Sequence, residues 1–123
     1  MRAEKFEDIQ GWREAQCLTR KVHELAKQPS FEQESGLRRQ MEEASVSIMA
    51  NIAEGFDRQS REEFIRFLFY ASGSTSEVQR HLYVARDQRC ISLSDFQETY
   101  DQARRTKGSI HGFISYLKGK REC

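Results

Sequence analysis

The chain has 123 residues, 37% of them apolar and 32% charged: enough for one domain with its own core, and too apolar for a disordered chain. Its formal net charge of +1 offers no overall field to a polyanion, and Cys17, Cys90 and Cys123 form no C-x-x-C pair, which argues against a disulfide framework or a zinc site. No apolar run approaches the roughly 20 residues of a membrane span, and no signal-peptide core follows Met1, so a cytoplasmic protein is expected.

Four helices are predicted within a single domain covering residues 1–123. Ala15, Leu18, Val22 and Leu25 recur at spacings of three and four, behind Phe6, Ile9 and Trp12, and Pro29 stops the run. The first helix is therefore about Asp8–Gln28, with a polar loop over Pro29–Gly36. Leu37, Met41, Ala44, Ile48 and Ile52 stripe a second helix from about Gly36 to Glu54, with Gly55 suited to the left-handed position after its end.

Ser60 and Glu63 read as a capping box that starts a third helix, about Arg61–Arg89. Its seam is Phe64, Leu68, Ala71, Thr75, Val78, Leu82 and Ala85, the near-heptad spacing of bundle packing. Gly73, mid-helix, implies close approach of another backbone. Ser94 with Gln97 marks the fourth helix, about Ser94–Lys118, striped by Phe96, Tyr100, Ala103, Ile110, Ile114 and Leu117 with a local irregularity at Lys107-Gly108. Short links between helices of similar length predict an all-α, up-down-up-down antiparallel four-helix bundle.

Catalytic chemistry finds little footing. A di-iron bundle needs Glu-x-x-His pairs, and His23, His81 and His111 each lack the glutamate; Glu77 and His81, one turn apart, make half a site at most. No nucleophile motif or phosphate-cradling loop is present. A non-enzyme without metal, cofactor or small-molecule substrate is expected.

The surplus lies in apolar surface. From Phe64 to Tyr70 every residue but Arg66 is apolar or aromatic, so this helix needs cover on more than one side. With Phe64 and Leu68 inward, Ile65, Phe67, Phe69 and Tyr70 are the candidate oligomer interface. Charge is uneven as well: Met1–Phe56 carries 8 basic and 10 acidic side chains, Asp57–Cys123 carries 12 and 9. Arg104, Arg105, Lys107, Lys118, Lys120 and Arg121, with Tyr116 to stack on a base, are candidate nucleic-acid contacts. The alternative is a solvated helix end that complements its own dipole.

Phe6-Glu7-Asp8 with Trp12, Gly36-Leu37, Ser47-Ile48, Asn51-Ile52-Ala53-Glu54-Gly55-Phe56, Glu63-Phe64 with Phe67-Leu68, and Gly73-Ser74 before Glu77 form a recognisable pattern over about Phe6–Ile91. It resembles the bacterial four-helix-bundle proteins encoded in intervening sequences of large-subunit rRNA genes, known as ribosomal-protein-like. The resemblance implies an all-α bundle that assembles as a closed homopentameric ring, with Asn51, Glu54, Gly55, Gly73, Ser74 and Glu77 as structural motif residues. A related branch, the accessory variability determinants of diversity-generating retroelements, implies binding of RNA and a reverse transcriptase through a basic surface. Glu42-Glu43 stands where the family often has Arg-Arg, and Met49 where it often has proline. Weaker nucleic-acid binding and a straighter second helix are the expected consequences. A self-assembling scaffold or adaptor is the leading expectation, and a nucleic-acid-binding accessory protein the alternative.

Overall fold

The computed structural model describes residues 3–119, and among them every regular element is helical. The helices are α1 (Gln10–Ala26), α2 (Ser35–Phe56), α3 (Arg61–Asp87) and α4 (Leu93–Gly119), with 3-10 segments at Phe6–Asp8 and Pro29–Glu34. α1 packs on α2 and α4, and α3 packs on the same two, so the helices run in order around a four-cornered bundle. The expected fold is the observed one.

The core follows the stripes. Leu18 and Val22 of α1, Met41, Ile48 and Ile52 of α2, Leu68, Val78 and Leu82 of α3, and Ile110 of α4 are essentially fully buried. Each such side chain contributes roughly 1.5–3 kcal/mol on leaving water. The start of α3 departs from the predicted seam, because Phe64 is only half-buried and Ile65, expected at a subunit interface, is 7% exposed and belongs to the core. The reason is Gly55. A Cβ there would lie 2.8 Å from Phe67 Cβ and 2.9 Å from Phe64 Cδ1, so the absent side chain lets both rings settle on the end of α2. That leaves Ile65 to turn inward.

Gly55 itself lies within α2, and no described glycine has a positive φ, so its role is close approach and not the left-handed cap the sequence suggested. The residue that adopts that conformation is Arg89, with φ 62° after α3. Arg89 N donates to Arg86 O at 3.0 Å and Cys90 N to Ala85 O at 2.8 Å, the two bonds of a Schellman motif with arginine in the glycine position.

Ser60 Oγ accepts from Glu63 N at 3.0 Å as expected. The Glu63 carboxylate pairs with Arg58 instead of closing the box. α4 is capped two residues earlier than predicted: Ser92 Oγ, not Ser94, accepts from Asp95 N at 3.0 Å. α2 is unbroken through Met49, and α4 is unbroken through Lys107-Gly108, where Thr106 takes the buried position. The Pro29–Gly36 segment is more than a polar loop, since Phe31 plugs the core at 0% exposure.

Candidate interaction surfaces

Two polar clasps fix how the helices meet. Asn51 Nδ2 donates to Ser47 O at 2.9 Å and to Ser47 Oγ at 3.1 Å, while Ser47 Oγ lies 3.0 Å from Ser74 Oγ across the α2–α3 contact. The motif residues Asn51 and Ser74 are thus two ends of one hydrogen-bonded link. It sets α2–α3 register, because a slide of one turn would strand these groups. On the opposite side, Gln102 Nε2 donates to Glu14 Oε1 at 2.7 Å and Glu14 O at 3.2 Å, joining α4 to α1.

The other motif residues serve local structure. Glu54 pairs with Arg58 at 3.0 Å, and the Arg58 guanidinium sits 4.6 Å over the Phe67 ring, which clamps the α2–α3 turn. Glu77 pairs with His81 at 3.3 Å. Among the described residues nothing outside its own helix lies within 4 Å of a Cβ built on Gly73, so the close backbone approach expected there is not seen within the subunit.

The expected apolar surface exists but is redistributed. Phe69 is 44% and Tyr70 49% exposed, and Val84 lies further along the same outer ridge of α3. Phe67, by contrast, is claimed by Gly55 and Arg58 inside the chain. Between α3 and α4, Ser72 Oγ meets His111 Nε2 at 2.7 Å, and the Phe69 ring lies 5.9 Å from the imidazole and 5.3 Å from Lys118 Nζ.

A second surface escaped the stripe analysis. Val46, Ala50 and half-buried Met49 lie off the core face of α2 and, with Thr19 and His23 of α1, floor two adjoining shallow grooves of about 330 and 520 Å³. The sequence signal was there: Val46 is an apolar residue out of phase with Met41, Ala44 and Ile48. Glu42 and Glu43 stand on its rim. A third hollow of about 290 Å³ lies between the α1 start and α4, lined by Ile9, Gly11, Gly112, Phe113 and Tyr116.

Of the described candidate nucleic-acid residues, Arg104, Lys107 and Lys118 share one arc of α4, and Arg105 and Tyr116 lie away from it. Arg104 pairs with Asp101 at 3.3 Å, and Arg105 donates to Gln102 Oε1 at 2.9 Å on the α1 side of α4. Tyr116 stacks on Phe113 at 5.9 Å, Lys118 covers Phe69 and Lys107 is half-buried. Lys120 and Arg121 lie outside the described residues.

Among the described residues no group of His, Cys, Asp and Glu is arranged to hold a metal ion, and no helix is long and apolar enough to cross a membrane. Two ionisable groups are displaced. The Cys90 thiol is pushed up by burial and then by Glu34, and the Tyr100 phenol is raised, chiefly by its hydrogen bond with Tyr83. Neither faces a site that would use it.

Comparison with curated proteins finds no match. The crystal structure, at 1.70 Å, of a protein of unknown function from the S23 ribosomal protein family of Bacteroides thetaiotaomicron superposes with a TM-score of 0.78 at 21% identity. The match covers 85% of this chain and 97% of that one, a likeness of fold. Its description indicates no catalytic activity. The model of the family described as 23S rRNA-intervening sequence protein matches residues 7–112, in line with the motifs that run from Phe6 through Glu77. The four-helix bundle with its Asn51–Ser47–Ser74 link and its Gly55 contact therefore belongs to the 23S rRNA-intervening sequence protein family.

Proposed function

We propose that this protein is a non-enzymatic scaffold that assembles with copies of itself, a ring of five being the specific assembly. The outer ridge of α3 carries the reading: Phe69, Tyr70 and Val84 are each more than two-fifths exposed although the core beneath them is complete. Exposed aromatics grouped on one element are characteristic of interfaces. The expected result is an oligomer mass by light scattering at micromolar concentration. Tyr70→Glu should dissociate it while leaving the helical circular dichroism unchanged. A monomeric wild type sinks the proposal.

A nucleic-acid accessory role is the second reading, favoured by the exposed Phe69 ring with Lys118 over it and His111 at its edge. A ring aligns several copies of that pair. Each phosphate neutralised adds roughly 0.7–0.9 to the log–log salt slope, and a net charge of +1 gives the subunit no overall attraction for a polyanion. Fluorescence anisotropy with RNA and DNA across a salt series should give no submicromolar binding at physiological salt. Tight binding abolished by neutralising Arg104, Arg105, Lys118, Lys120 and Arg121 would replace the scaffold reading.

A further inference from the structure

The two apolar surfaces differ in charge in a way that suits them to each other. The groove floored by Val46 and Ala50 has Glu42 and Glu43 on its rim, and neither carboxylate has an ion-pair partner among the described residues. The α3 ridge carries Arg80, exposed and likewise without a hydrogen bond or ion pair among the described residues. Unspent opposite charges beside two apolar surfaces are complementary partners.

Height along the bundle axis matches too. The contact of Ser47 with Ser74 puts those residues level, and α2 and α3 run antiparallel. At a rise of about 1.5 Å per residue, Glu43 lies about 6 Å from that level and Arg80 about 9 Å from it, in the same direction. Groove and ridge therefore stand at nearly one height on each subunit. A contact between them carries almost no climb, the condition under which a head-to-tail interface closes instead of growing into a filament.

We infer that the α1–α2 groove receives the α3 ridge of a second copy of this chain, with Arg80 of one subunit set between Glu42 and Glu43 of the next. Tyr70 and Val84 supply the apolar surface, and Gly73, with open space where a Cβ would be, leaves a low point in the ridge. This inference rests on the assembly reading and specifies which faces meet.

Charge exchange tests it, with light scattering for mass and circular dichroism for folding. Glu42→Arg/Glu43→Arg makes groove and ridge both basic, and Arg80→Glu makes both acidic; each variant should be a folded monomer, with at least tenfold weaker association. All three changes on one chain should restore assembly. An equimolar mixture of the two monomeric variants should associate with strict alternation, which cannot close a ring of five, so open chains or even-numbered rings should replace the wild-type species. Val46→Glu probes the groove floor independently and should dissociate the oligomer too. A wild-type oligomer that none of these changes disturbs overturns the inference and leaves self-assembly standing. A wild-type monomer overturns both. Failure of the triple variant to reassemble while folded overturns the charge pairing.

Discussion

Gly55 and Gly73 are the same residue under opposite constraints. An alanine at 55 would drive its methyl against Phe67 Cβ, which cannot swing away without moving backbone. Such overpacking costs about 1–3 kcal/mol, more than the roughly 1 kcal/mol that alanine gains over glycine within a helix. Gly55→Ala is therefore expected to lower stability by up to about 2 kcal/mol. Gly73→Ala meets open space and should raise subunit stability by up to about 1 kcal/mol. Urea denaturation measures both, and equal signs would contradict the packing described. Cys90 gives the pH counterpart. Its folded thiol titrates above the ordinary value of 9.0, so its contribution is fully present below that value and lost as pH rises through the raised one. Stability should fall at alkaline pH with a component that Cys90→Ala removes, read from urea midpoints across a pH series.

At the scale of elements, the α3–α4 turn holds an avoidable strain. An L-residue in the left-handed region costs roughly 1–2 kcal/mol, and Arg89 occupies it in a motif where glycine is the usual occupant. Arg89→Gly should raise the thermal midpoint, with a gain of about 1 kcal/mol once the greater freedom of glycine in the unfolded chain is subtracted. An unchanged midpoint would mean that the turn relaxes around arginine without strain. The sequence made this turn hard to read because nothing in Gln88-Arg89-Cys90 announces a left-handed residue. The helices were legible because each buries a stripe of period near 3.6, and that pattern survives any detail of packing. Phase at the start of α3 was not, since whether Phe64 or Ile65 turns inward depends on Gly55 of another helix. Buried Thr99, Gln102 and Thr106 were missed because polar side chains leave no apolar mark: the Gln102 amide reaches Glu14 on α1, and the Thr106 hydroxyl donates back to Gln102 O within α4.

For the whole molecule, exposed apolar surface was half legible. The excess of aromatics on α3 is a local fact of sequence, so Phe69 and Tyr70 could be singled out. The groove proposed to receive them needs α1 and α2 side by side, and only Val46 hinted at it. Of the described basic residues of α4, winding at about 100° per residue keeps Arg104, Lys107 and Lys118 within one arc and turns Arg105 onto another face. Charge count along a chain is a poor guide to charge on a surface, and the Arg104–Asp101 and Arg105–Gln102 contacts consume part of what remains.

The Glu14–Gln102 clasp joins residues 88 apart in sequence, whereas α2 and α3 are linked by a turn of a few residues. Closing a long chain segment loses more entropy than closing a short one, and that loss precedes any contact that offsets it. The expected order of folding follows: the α2–α3 and α3–α4 hairpins, each joined by a short turn, condense early, and α1 meets α4 late. Substitutions should divide accordingly in stopped-flow experiments. Gly55→Ala should act chiefly by slowing refolding, and Gln102→Ala chiefly by hastening unfolding. A Gln102 variant that slowed refolding as much as it weakened the native state would place the α1–α4 contact in the nucleus instead.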